Sequence, residues 1–248
     1  MMHTIFSLIS INLLCYNKRI IIGGHLFMDF KTIKSIDDPL FKAALKLYDG
    51  QFDIDLSEDE QIFKQSLKNE HTKDDYIFLV GLQSDKVVSL ATAHYEATTN
   101  SAFLIYLIAN DQPDHDELIT KTLARIEKEI NYLSNQLHEH DVNFIMLEVP
   151  KEPELVSEDE QQVLSNRREF LFSHGFEKQY DLDYLAPNLN GYSEGSPKDL
   201  FIKSNIELTK DIYGPCIKSN YILKYVFANR ISRSIIYPLL EEMDLRKS

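Results

Sequence analysis

The chain has 248 residues, 44% hydrophobic and 26% charged, which fits one globular domain or a domain of roughly 150–180 residues with an appendage. A net charge of −13 excludes an ordinary nucleic-acid binder, which needs clustered Lys and Arg to displace counterions; acidity keeps a protein in solution and is compatible with a cationic amine partner. Cys15 and Cys216, with no CxxC spacing, exclude a disulfide framework and a structural zinc site and suit a reducing cytoplasm.

Residues 1–27 read as foreign to the rest. The apolar run from Ile5 to Tyr16 is too short for a membrane span, which takes roughly 20 residues, and the basic pair Lys18-Arg19 follows it instead of preceding it as in a secretory signal. Gly23-Gly24 can be encoded by GGAGGT, a ribosome-binding sequence, three codons ahead of Met28. We therefore expect residues 1–27 to be a translated leader, with Met28 as the start.

From Phe30 to Ile36 the pattern predicts a short strand. Asp38 as N-cap with Pro39 behind it opens a helix to Tyr48, and the capping-box signature Ser57-Glu-Asp-Glu60 opens a second to Leu67. Tyr76–Leu82 and Val87–Tyr95 are strands joined by a hairpin at Gln83–Lys86. Ala102–Ala109, apolar throughout, suits a strand buried on both faces. The following helix carries an apolar stripe of Ile119, Leu123, Ile126, Ile130, Leu133 and Leu137. Asn143–Val149 is a second buried strand, and strand–helix–strand implies a parallel pair with a right-handed crossover.

Lys151–Gln162, with five acidic residues against one lysine, predicts an exposed connector. Leu164–His174 predicts a helix stopped by Gly175. Tyr180–Leu185 and Leu200–Lys203 predict antiparallel closing strands, with a loop over Asn188–Pro197. Residues 205–248 read as a helical extension, packed either on the domain's own sheet or in a homodimer.

The order of elements over 28–204, with Phe170-Leu-Phe-Ser-His-Gly-Phe176 and Asp183-Tyr-Leu-Ala-Pro187, resembles the acyl-CoA-binding core of the GNAT superfamily of N-acetyltransferases. Glu148-Val149, an acidic connector, Arg167-Arg168 and Gly175-Phe176 also occur in the order of a subset of that superfamily. The resemblance implies an α/β fold: a mixed sheet of about six to seven strands flanked by helices, plus the helical extension. It implies acetyl transfer from acetyl-CoA to a primary amine, on a small molecule or peptide, by direct attack and without metal, nucleic acid or membrane.

In that fold the backbone of Leu107, Ile108 and Ala109 pairs with the pantetheine arm, and the turn into the long helix meets the pyrophosphate. Here that turn runs through Gln112, Asp114, His115, Asp116, Glu117 and Leu118; Gln112 matches the family's leading Arg/Gln, but both glycines are replaced. Carboxylates repel a diphosphate, and Asp114 with Glu117 are placed to cap the helix and take the same N–H donors. Leu171 stands where many members have a tyrosine. Glu148 is the candidate general base, with pairing to Arg168 as its structural alternative. Tyr184 is the candidate acid, with a buried, singly hydrogen-bonded tyrosine as its alternative. His138 and His140 diverge at i, i+2 and do not suit a metal. Two functions follow: an N-acetyltransferase, or a catalytically inactive GNAT-fold binding or regulatory protein.

Overall fold

In the computed structural model the described residues are 28–50, 60–68, 75–151, 158–188 and 195–247, with side chains left aside at 158–160. The leader assigned to 1–27, the Ser57 capping box and most of the loop after Asn188 lie outside them. The elements are β1 (Asp29–Thr32), α1 (Pro39–Asp49), α2 (Glu60–Leu67), β2 (Tyr76–Gln83), β3 (Lys86–Glu96), β4 (Ser101–Ala109), α3 (His115–His138), β5 (Phe144–Pro150), α4 (Glu158–Ser173), β6 (Glu177–Lys178), β7 (Leu185–Ala186), β8 (Ser196–Ser204), α5 (Lys210–Asn220), a π-helix (Tyr221–Ala228) and α6 (Arg233–Glu242). They form an eight-stranded mixed sheet in the order β1-β2-β3-β4-β5-β8-β6, with β7 beside β8.

Local chemistry explains most boundaries. Asp38 accepts the Leu40 N–H as the N-cap of α1, with Pro39 in the first turn. Ser84 and Asp85 both take positive φ, 47° and 63°, so the β2–β3 turn has the primed twist that matches a hairpin without any glycine. Helix α4 ends with Gly175 at φ 82°: the Phe176 N–H reaches Leu171 O at 3.0 Å and the Gly175 N–H reaches Phe172 O at 3.1 Å, a Schellman closure.

Two layers of helix cover the sheet. On one face α3 and α4 bury Leu123, Ile126, Ile130 and Leu171 against Ala91, Ala93, Leu104, Ile145, Leu147 and Phe201. On the other, α1 and α2 pack Phe41, Tyr48 and Phe63 against Phe78, Val80 and Leu90. Beside them the C-terminal extension sets Tyr213, Ile217, Tyr221, Tyr225, Ile236 and Leu240 on Phe103, Phe144, Met146, Leu200 and Ile202. The extension thus packs on the domain's own sheet.

Several expectations need correction. Leu137 is 62% exposed and does not belong to the α3 stripe, whose buried residues end at Ile130 and Ser134. The connector is shorter than expected, because α4 begins at Glu158. Tyr180–Tyr184 is not a strand: pairing there is confined to the two-residue strands β6 and β7, which with the seam at β8 bring the count to eight. Among the described residues no helix is long and apolar enough to cross a membrane.

The interruption between β4 and β5 positions the site. These parallel strands pair only at Ser101–Phe144, Ala102–Ile145 and Phe103–Met146. Immediately beyond, β4 carries an extra residue: Ala93 pairs Leu104 and Thr92 pairs Tyr106, so Ile105 is skipped. A bulge bends and over-twists its strand. β4 stays on β3 out to Ala109 while β5 stays on β8 out to Pro150, and the two part.

Candidate active site at the strand divergence

Beyond Phe103 the β5-facing edge of β4, including Leu107, Ile108 and Ala109, has no strand partner. Backbone N–H and C=O groups must be satisfied, so this edge can take a ligand with amides of its own. Helix α3 begins at the same end of β4. Its N-cap Asp114 makes no side-chain cap bond; the carboxylate instead accepts from Gln83 Nε2 at 3.1 Å. Glu117 is ion-paired to Lys121 at 2.5 Å along the helix surface. The expectation that Asp114 and Glu117 consume the helix-head donors is therefore overturned. Among the described residues the Asp116 and Glu117 N–H groups have no acceptor. His115 is turned back, its Nδ1 3.1 Å from Asn110 O, while the Leu118 N–H joins the helix ladder at Asp114 O; Gln112 is exposed, its N–H bonded to Asn110 O.

Glu148 and Tyr184, 36 positions apart, meet: the Tyr184 hydroxyl donates to Glu148 Oε2 at 3.0 Å. Strand alternation puts Glu148 on the same face as Phe144 and Met146, the face under the C-terminal extension. Tyr184 reaches it because β7 folds its segment over β8, where the Lys198 N–H donates to Tyr184 O at 2.9 Å. The extension adds two groups. Tyr225 donates to Glu148 Oε2 at 3.4 Å, and Lys224 Nζ stands 3.6 Å from Oε1. These consecutive residues lie in a π-helix, whose wider turn brings neighbouring side chains closer in angle than an α-helix does.

Burial alone would raise the Glu148 pKa, but Lys224, Lys198 and the Tyr184 hydrogen bond outweigh it and hold the carboxyl below its usual range. Tyr184 is fully buried, and burial and then Glu148 push its hydroxyl well above the ordinary value. As arranged it is a donor that fixes Glu148 and a poor proton source for a thiolate. Arg168 is not Glu148's partner; it bonds Pro150 O at 2.9 Å and Asp199 Oδ2 at 3.1 Å. Leu171 is buried in the core under α3.

Lys224 and Tyr225 could not be picked from the sequence, since they lie in a π-helix, whose period is not the 3.6 residues that hydrophobic spacing is read against. Lys198 could have been found: it is two residues before Leu200, hence on the same face as the Glu148 that pairs with Leu200. The histidine pair is spent on backbone, with His138 Nε2 2.9 Å from Ala97 O and His140 Nδ1 2.7 Å from Asp141 O. Among the described residues no group of three or more His, Cys, Asp or Glu side chains could hold a metal.

No protein-family model matches the chain, and no curated protein matches its sequence. Solved structures do match. A GNAT-family protein from Bacteroides thetaiotaomicron, assigned as an acetyltransferase, superposes with a TM-score of 0.54 at 18% identity, over 79% of this chain and 98% of that one. The aminoglycoside 6'-N-acetyltransferase from Enterococcus faecium aligns at 14% identity over 73% and 99%, with a TM-score of 0.48. The chain has the GNAT fold, with a helical C-terminal part added to it.

Proposed function

We propose that the protein is an N-acetyltransferase that moves the acetyl group of acetyl-CoA to a primary amine by direct attack. The observation that carries this reading is the divergence of β4 and β5 after three paired residues, with the uncapped head of α3 at the same end. Residues present fit the donor: the free edge of Leu107–Ala109 suits the amides of a pantetheine arm, and the N–H groups of Asp116 and Glu117 suit a diphosphate. Asp114 and Glu117 oppose that anion, but each is drawn off by a partner within the chain. When bound, acetyl-CoA supplies an acyl group activated as a thioester.

The chain's own part lies on the opposite side of the cleft. Glu148, kept ionised by its neighbours, would receive the acceptor ammonium and orient it. A carboxylate of depressed pKa is a weak terminal base, so the proton passes on to water. Tyr184 and Tyr225 hold the carboxylate in one rotamer.

A second reading has its own support. The carboxylate that should meet an acceptor is already surrounded by Lys224, Tyr184 and Tyr225, as in a GNAT-fold binding protein without turnover. Calorimetry with acetyl-CoA, followed by thiol-release assays over an amine panel, separates the two. Micromolar donor binding with thiol release upholds the transferase, and donor binding without release upholds the second reading. No heat at millimolar acetyl-CoA discards the transferase.

A further inference from the structure

Beside Glu148 stand Arg167 and Lys198, whose positive charge only that carboxylate offsets among the described residues. Lys198 is a diagonal neighbour of Glu148 across the β5–β8 seam, since Glu148 pairs Leu200 and Pro150 pairs Lys198, within reach of a long side chain. Lys224 approaches from the π-helix at 3.6 Å. Arg167 comes from the turn of α4 whose next residue, Arg168, bonds the Pro150 carbonyl at the end of β5. Arg167, Lys198 and Lys224 all act electrostatically on the same carboxylate, and Lys198 is repelled by both other cations.

Among the described residues Arg167 and Lys198 thus share one carboxylate, which Lys224 also approaches. Two nearby described carboxylates are otherwise engaged: Asp199 is held by Arg168 and Lys178, and exposed Asp183 faces Lys151. Among the described residues Arg167 and Lys198 make no ion pair and no side-chain hydrogen bond, although both are only partly open to water. Burial pushes the Arg167 guanidinium down to about 10, still charged at neutral pH, and lowers Lys198. A cluster of this kind costs free energy in the free protein and is relieved by an anion. The local excess of positive charge runs against the net charge of −13 of the whole chain, so general acidity does not describe what this cleft selects.

Resting on the transferase reading, we propose that the acceptor is an amine that also carries an acidic group, a carboxylate or a phosphate, which Arg167 and Lys198 bind while Glu148 holds the ammonium. The geometry is that of a zwitterion clamp, with opposite charges presented from one strand seam and one helix.

Matched amines test it: phenylalanine against phenethylamine, and phosphoethanolamine against ethanolamine, assayed by thiol release and by calorimetry. We expect the acid-bearing member of a pair to be used at least about 10-fold better in kcat/KM, the effect of one charge-assisted contact. Lys198→Met, which keeps the stem and drops the charge, and Arg167→Met should raise the KM of that acceptor about 10-fold, leaving the KM of acetyl-CoA unchanged; Lys198→Arg should restore it. Equal use of both members overturns the proposal. A raised KM for acetyl-CoA alone also does so and gives the cations to the donor's diphosphate. If no thiol is released with any amine, the transferase reading fails separately. Calorimetry then decides the anion site: binding of phosphoethanolamine or phenylalanine that Lys198→Met weakens about 10-fold upholds it, and no binding to the unaltered protein ends it.

Discussion

Glu148, half-buried, and His94, buried, are ionisable groups whose surroundings drive them to opposite charge states. Glu148 has Lys224, Lys198 and the Tyr184 hydroxyl to keep it ionised. His94, 8% exposed, has burial and Lys224 against its charged form, and its pKa falls to about 4. Above pH 6.5 the ring is neutral in folded and unfolded chain alike and contributes nothing to the pH dependence. Between pH 6.5 and about 4 the unfolded chain takes up a proton that the folded one refuses, so stability falls by about 1.4 kcal/mol per pH unit, about 3 kcal/mol in all. Urea unfolding at pH 7 and pH 5 should show about 2 kcal/mol of that loss, and His94→Gln should reduce it; an unchanged slope would mean the ring is not the group refusing the proton. For Glu148 the readout is catalytic. Glu148→Gln should lower kcat by about 100-fold or more while calorimetric affinity for acetyl-CoA is retained, because the carboxylate lies on the acceptor side. Tyr184→Phe, which keeps the ring and removes the hydroxyl that donates to Glu148, should cost less than Glu148→Gln in the same assay.

At the scale of elements, local signals were readable wherever backbone and periodicity act alone. Asp38-Pro39, the turn after Gln83, the stop at Gly175 and the Ile119–Ile130 stripe all appear as read. Gly175 offers a direct check. A Cβ there would meet only Lys203 Cε at 3.8 Å, so Gly175→Ala carries backbone strain and no clash. It should lose about 1–2 kcal/mol in denaturant unfolding with an unchanged m-value. What stayed hidden depends on tertiary partners. The stripe could not reveal that Leu137 outruns the sheet, nor could composition separate Tyr180–Tyr184, held by β8 contacts, from a true strand. Glu148 and Tyr184 were legible as candidates because a motif order pointed to them. Lys224 and Tyr225 were not, because they lie in a π-helix that hydrophobic spacing does not reveal and meet a carboxylate far away in sequence.

The whole molecule depends on its C-terminal extension. Tyr213, Cys216, Ile217, Tyr221, Tyr225, Ile236, Leu239 and Leu240 are all at most 2% exposed, and they cover Phe144, Met146, Leu200 and Ile202. A chain ending at 204 should therefore aggregate or unfold on purification, instead of yielding a stable domain of altered oligomeric state. Size-exclusion chromatography with circular dichroism checks this, and a soluble, fully folded truncation would show that the extension is dispensable to the core.

The parting of β4 from β5 leaves raw strand borders in the middle of a sheet and not at its rim. Outer borders invite other molecules to add on, and proteins blunt them with charge or proline. A border enclosed by neighbours on both flanks needs no such protection, because nothing broader than a single extended chain can enter. That narrowness is a filter in its own right: it admits a slim, amide-bearing guest and turns away a neighbouring protein. In deuterium exchange the amides of Leu104–Ala109 that face this opening should be quick in the free protein and slow once it is filled.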